Sequence, residues 1–480
     1  MSAEETRVAA LGAYAPRLYI TAETVEGALG QFSASGVERK AVPEADEDPL
    51  TMAVEAARRA LDAGGYDGSN LAYLAFATTT PPMEEEDLTA RLASALGARA
   101  DAATRTLAGS TRAGAQALDA AVDAGPWGDV ADGAGVGLVV ASDAPRGAPD
   151  SGVEQAAGAG AAAVVLGDGP GRVEGRGSHV ESYPGTRFRP AGEAETDGLG
   201  VTNYDRQAFS AVLSGAAEEL DTDVDAAAVQ SPDGKLPYRA TGALGVDAGT
   251  IAAGSTVEQL GDTGAASTLV GAASARVDGA ERVLVAAFGG GAGANALTLD
   301  LAGVPAETAL EGDIELSYAE YLRRRGEVTS GEPEGGGAYV SVPSWQRTTP
   351  QRHRLVAGRC PECGALNFPP EGACSDCTGR VEYERVELPG TGTVEATTTI
   401  SQGGAPPEFV EQQARSGPFV AAVVALDGPD GSSASIPTQV LTGGRDVEIG
   451  DPVETTIRRI YEQEDVVRYG FKAQLRDAKR

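Results

Sequence analysis

All four cysteines of this 480-residue chain fall in one short stretch. They read Cys360-Pro-Glu-Cys363 and Cys374-Ser-Asp-Cys377, with ten residues between Cys363 and Cys374. Each C-x-x-C sets two thiolates on one tight knuckle, and two knuckles complete a tetrahedral S4 shell that suits Zn²⁺. Such a shell leaves no open coordination position, so the expected metal is structural. Paired C-x-x-C motifs in a cytosolic protein also favour metal over disulfides. The stretch is therefore expected to fold as a ribbon around an ion. Everything outside it must work without a thiol.

Length suggests about two or three domains. The formal charge is −32, from 38 basic and 70 acidic residues, and lysine occurs only at Lys40, Lys235, Lys472 and Lys479. A solvated acidic surface with lysine nearly eliminated suits a halophile's cytosol, where molar salt screens the self-repulsion. The same charge argues against nucleic acid as a partner. No stretch approaches the ~20 apolar residues of a membrane helix. The opening residues carry Glu4 and Glu5 and lack the apolar core of a signal peptide. A cytoplasmic protein is expected.

From residue 7 to about 325, strand-like apolar runs alternate with alanine-rich helical ones. Ala53–Ala63 and Ala90–Leu96 have helical spacing. Leu71–Ala77, Val136–Ala141, Ala161–Leu166 and Val283–Phe288 read as buried strands. This alternation predicts a layered α/β domain. The acidic run Glu84–Asp87 reads as a solvated first helical turn, and Arg323–Arg325 as a helix C-terminus, with a docking surface as the alternative. Ser330–Gly337 reads as a linker. After Cys377, four β-rich runs (Gly390–Ile400, Phe419–Leu426, Ser433–Val440 and Val453–Ile460) predict a small barrel. The expected division is 1–328 for the α/β domain, 329–344 for the linker, 345–384 for the ribbon with a leading helix, and 385–480 for the barrel.

Two resemblances sharpen this. Trp345, Arg354-Leu355, the run Arg359 to Gly364, Phe368-Pro369-Pro370 and the G-T-G-T-V run at Gly390–Val394 resemble the zinc-ribbon/OB-fold proteins associated with acyl-CoA enzymes. That implies a rubredoxin-like ribbon, an OB-fold barrel, and either an acyl-CoA ligand or a thiolase-fold partner. Gly12–Arg17, Glu38–Ala57, Gly261–Ser267 (with Asp262 at an asparagine position), Phe288–Asn295 and Tyr318–Gly326 resemble archaeal hydroxymethylglutaryl-CoA synthase. That family has a thiolase-like αβαβα fold, so coenzyme A thioesters become the expected ligands. Homo- or hetero-oligomers with thiolase-fold proteins become the expected assembly.

The second resemblance implies three catalytic groups: a cysteine nucleophile, a glutamate acid/base and a histidine on the substrate carbonyl. Matched by flanking residues, the cysteine position falls on Thr111, the histidine position on Gln230 and the glutamate position on Thr79. All three are substituted. No cysteine precedes Cys360, and the histidines are His179 and His353 alone. A threonine hydroxyl needs a base to attack, and a glutamine amide cannot supply one. The expected function is an acyl-CoA-binding pseudoenzyme, acting as a subunit or carrier for thiolase-fold partners. The first alternative is a cysteine-independent aldolase, with Tyr204 or Tyr238 as acid/base group. Synthase chemistry on Thr111 or Ser110, and a purely structural scaffold, are the others.

Overall fold

The apolar runs are strands. Leu71–Thr78, Val136–Asp143, Gly160–Leu166 and Arg282–Gly289 are buried along almost their whole length, on both faces. Their sequences therefore lack polar alternation. The computed structural model describes residues 6–127, 129–130, 133–328, 340–401 and 410–476. The described residues divide into two units. The first runs to Tyr321 but omits Glu44–Glu47; the second takes Glu44–Glu47 and the chain from Leu322.

In the first unit a continuous sheet runs in the order Ala226–Val229, Arg282–Gly289, Gly291–Asp300, Gly171–Tyr183, Arg7–Tyr14, Gly160–Leu166, Val136–Asp143, Leu71–Thr78, Ala103–Ala108. Arg7–Tyr14 meets Gly171–Tyr183 through only two residue pairs, Arg7 with Arg172 and Val8 with Gly171. The path thus splits into two half-sheets. The helices Ala113–Ala124 and Ser267–Val277 pack against strands of both halves. Pro49–Gly64 covers the outer face of one half and Thr202–Ala217 that of the other. These are the five layers of the expected αβαβα fold. Alanine-rich sequence serves the central layer because small side chains let a helix lie between two sheets. Gly114 shows how tight that layer is: a Cβ there would lie 2.3 Å from the carbonyl oxygen of Ala265.

Local chemistry sets the helix ends. Asp48 caps Pro49–Gly64 through a capping box, and Gly65 closes it in the left-handed region. Asp87 caps Leu88–Leu96 by accepting from the amide of Thr89 at 3.1 Å. Glu86 pairs with Arg91, and Glu84 and Glu85 are exposed. The acidic run is the solvated helix start expected of it.

In the second unit Val356–Arg359, Leu366–Asn367 and Glu384–Glu387 form the ribbon's three-stranded sheet. A closed barrel follows, built from Thr391–Ile400, Phe419–Asp427, Ser433–Leu441, Val466–Leu475 and Pro452–Gln463. Its fifth strand, Val466–Leu475, lies beyond the four runs read from sequence. Ribbon and barrel share one apolar core, with Leu355, Ala357 and Leu366 packed among Val394, Val424 and Ile436. The expected linker Ser330–Gly337 lies outside the described residues. The helix Val342–Arg354 begins inside the segment assigned to the linker. Arg323–Arg325 form the last turn of Tyr318–Arg325. Arg323 and Arg324 donate to the carbonyls of Ala414 and Arg415, which is the structural role.

Glu44–Glu47 supplies this unit with buried charge. Lys472 Nζ lies 2.6 Å from Asp46 and 2.9 Å from the Gln412 side-chain oxygen, and Arg458 lies 3.0 Å from Glu47. All four charged side chains are at most 4% exposed. Burial alone would raise Asp46, but the Lys472 and Arg458 cations outweigh it and hold the carboxyl below the usual aspartate range.

Candidate functional site

Thr111 lies one residue ahead of Arg112, the N-cap of the central helix Ala113–Ala124, and is buried. Its hydroxyl donates to the carbonyl of Phe288 at 2.6 Å, so its proton is committed while its lone pairs stay free. Gln230 follows the strand Ala226–Val229, also buried. Its amide nitrogen donates to the carbonyl of Gly264 at 2.9 Å, and its Oε1 is buried with no partner. Both residues line one cavity of about 430 Å³, together with Asp262, Arg187, Asp205 and Phe288.

Asp262 is 2% exposed. One of its oxygens accepts from Arg187 Nη1 at 2.6 Å and the other from the Gly264 amide at 2.9 Å. Arg187 Nη2 is buried and has no partner. Asp205 Oδ1 is likewise unanswered, and desolvation raises that carboxyl above the usual aspartate range. Three cations, Arg206, Lys235 and Arg239, are exposed and border the same cavity. The short helix Gly152–Ala156 forms part of the wall through Gly152 and Val153. A buried cluster holds it from behind. Glu154 receives Lys40 at 3.0 Å, the Gly147 amide at 2.8 Å and the Tyr321 hydroxyl.

Thr79 is not among the lining residues. It belongs to a second network centred on Asp143, which is fully buried at the end of its strand. Asp143 accepts from the hydroxyls of Thr78, Thr79 and Thr80 at 2.8, 2.8 and 2.9 Å. It also accepts from the amides of Thr79, Thr80 and Ala265 at 2.6, 3.0 and 2.6 Å. The bond to Ala265 ties Thr79's strand end to the loop that carries Asp262 and Gly264. Thr79 thus acts on the cavity indirectly. Neither Ser110, Tyr204, Tyr238 nor either histidine lines it, and the Tyr204 hydroxyl is engaged by the carbonyl of Pro184.

The four sulfurs of Cys360, Cys363, Cys374 and Cys377 lie within 4.8 Å of one another. Cys360 and Cys377 are 3.8 Å apart, and Cys363 and Cys374 are 3.6 Å apart. Sulfurs of a tetrahedral shell at the usual Zn–S length stand about 3.8 Å apart, so the geometry fits the ion. Asn367 supports the cluster, accepting from the Ser375 amide at 2.8 Å and pointing its own amide at Cys374 at 3.6 Å. Among known families, residues 349–384 match the ChsH2 rubredoxin-like zinc ribbon domain, and residues 385–458 match the ChsH2 C-terminal OB-fold domain.

Hydroxymethylglutaryl-CoA synthase of Methanopyrus kandleri is 30% identical over 345 residues, spanning 68% of this chain and 96% of the relative. The chain belongs to the hydroxymethylglutaryl-CoA synthase family. Solved structures agree on the fold. MvaS in complex with 3-hydroxy-3-methylglutaryl coenzyme A superposes with a TM-score of 0.57 at 19% identity, over 69% of this chain and 94% of that one. HMG-CoA synthase complexed with CoA gives 0.58 at 16%, over 70% and 94%.

Of the residues that line the cavity in this synthase family member, the sequence singles out Thr111 and Gln230 but not Arg187 or Asp205, and it does not mark Asp143. Asp262 was visible as an acid in a glycine-rich loop, and a buried acid demands a cation. Arg187 is 75 positions away, and nothing local singles it out.

Proposed function

We propose that this synthase-family chain binds acyl-CoA in the Thr111–Gln230 cavity without forming an acyl-enzyme. In this reading it serves as a subunit or carrier for thiolase-fold partners. The observation that carries the reading is Thr111. Its hydroxyl proton is given to a backbone carbonyl, and no histidine or thiol lines the cavity. The lining carries four cations, Arg187, Arg206, Lys235 and Arg239, against four acids, Asp197, Asp205, Asp233 and Asp262, a more basic balance than the chain's 38 to 70, and this supports a phosphate-bearing ligand. The ribbon's ion is zinc in this reading, with a structural role.

A second reading is supported by Asp205. A desolvated carboxyl with an unanswered oxygen in a cleft is a candidate general base. With it the cavity would cleave or form a carbon–carbon bond on a thioester with no acyl-enzyme.

The test is calorimetry with CoA and acetyl-CoA, intact-mass analysis after incubation, and a turnover assay on β-hydroxyacyl-CoAs. Binding with no covalent adduct and no turnover is expected, together with appearance of an acetyl adduct in Thr111→Cys. An adduct on the unmodified protein would overturn the first reading, and turnover abolished by Asp205→Asn would favour the second. We also infer a halophilic protein. Its melting temperature is expected to fall between molar and millimolar KCl as the acidic surface loses its screening. An unchanged midpoint would count against that inference.

A further inference from the structure

We propose that the buried end of the cavity selects a neutral acyl thioester carrying a hydroxyl group near its carbonyl. Arg187 and Gln230 are the specificity-determining residues, and the inference rests on the acyl-CoA reading above. The Gln230 amide has only one sensible orientation. The Gly264 carbonyl it faces at 2.9 Å requires a donor, so Nε2 lies there and Oε1 turns away as a buried, unpartnered acceptor. Arg187 spends Nη1 on Asp262 and leaves Nη2 as a buried, unpartnered donor.

Both groups are anchored on the same peptide. Asp262 accepts the Gly264 N–H, and Gln230 donates to the Gly264 C=O. One framework therefore holds an unanswered donor and an unanswered acceptor. Asp205 Oδ1 adds a second acceptor in the same cavity. Buried polar atoms left unpaired are costly, so the favoured ligand is the one that answers them. A plain acyl thioester brings a carbonyl oxygen for Arg187 but no donor. A hydroxyacyl thioester brings both.

The charge balance excludes a carboxylate. Asp262 already neutralises Arg187, Asp205 adds a further acid, and Arg206, Lys235 and Arg239 are at the exposed rim. A ligand carboxylate would enter a lining that already holds four acids, Asp197, Asp205, Asp233 and Asp262, and its Arg187 cation is already paired with Asp262.

The experiment is calorimetric titration of the full chain in molar KCl with CoA, butyryl-CoA, 3-hydroxybutyryl-CoA and 3-hydroxy-3-methylglutaryl-CoA. The hydroxybutyryl thioester is expected to bind about 10-fold or more tightly than either of the other two thioesters. Arg187→Lys keeps a cation on Asp262 but removes Nη2, and Gln230→Met removes Oε1. Each should bring butyryl- and hydroxybutyryl-CoA to within about 2-fold of one another. Melting curves check that the variants fold, and Arg187→Lys carries the test if Gln230→Met does not. Equal affinity for the two butyryl thioesters in the unmodified protein overturns the inference while leaving the acyl-CoA reading intact. So does tighter binding of the glutaryl thioester. Variants that weaken CoA and every thioester alike also overturn it, since Gln230 would then be meeting the pantetheine amides. Failure of CoA and all thioesters to bind sinks the acyl-CoA reading itself, and this inference with it.

Discussion

Stripping the ribbon's metal, or replacing Cys374 by serine, is expected to unfold the ribbon while the first unit keeps its own melting transition. The ribbon has three short strands, two of them four residues and one of them two. A unit so small cannot order itself by apolar burial, and structural zinc typically contributes about 10–16 kcal/mol of apparent binding free energy as folding energy. Cys360 and Cys374 are buried, so loss of the ion also leaves two unsatisfied thiols inside. Because the ribbon shares Leu355, Ala357 and Leu366 with the barrel core, the barrel should lose stability with it. Metal analysis of freshly purified protein should give about one zinc per chain. Calorimetric scans with and without chelator should lose one transition and keep another. Substoichiometric zinc, or a second-unit transition indifferent to chelator, would contradict this.

Asp143→Ala is expected to be the most damaging single change in the first unit, costing on the order of 5 kcal/mol or more. The carboxylate is fully buried and accepts six hydrogen bonds, three from hydroxyls and three from amides. Alanine removes all six bonds at once, although the Thr80 amide keeps a second acceptor in the Thr78 hydroxyl at 3.1 Å. Asp143→Asn keeps the shape but turns an NH2 toward donors on one side, so it should cost about half as much. Denaturant unfolding at constant high salt measures both. Because the Ala265 bond carries the loop of Asp262 and Gly264, acyl-CoA affinity should fall in the asparagine variant even where it remains folded. A cost below about 1 kcal/mol for Asp143→Ala would show that the network is dispensable.

The fold was legible in sequence wherever burial or covalent chemistry left a local mark. The runs at Leu71–Thr78 and Val136–Asp143 announce themselves because strands covered on both faces admit almost nothing polar. The four cysteines do so by spacing. Val466–Leu475 did not, because its buried faces include Arg468 and Lys472, which read as solvated in a one-dimensional pattern. The site divides the same way. Thr111 and Gln230 were found through motifs flanking them. The placement of Thr79 beside a carboxylate network was not, because Asp143 is 64 residues downstream and carries no signature of its own. Arg187 is one arginine among many until the fold sets it against Asp262. Charge partners chosen by tertiary structure leave no periodicity to read.

Glu44–Glu47 changes what counts as a module in this protein. The genetic boundary between synthase-like and ribbon–barrel parts suggests two pieces that could be cut apart and traded. Yet the counter-ions of Lys472 and Arg458 come from Asp46 and Glu47, encoded more than four hundred codons upstream of Lys472. A ribbon–barrel piece moved to another context takes two interior cations and leaves their anions behind. A swap along the apparent seam would therefore have to carry Glu44–Glu47 along with the ribbon–barrel part.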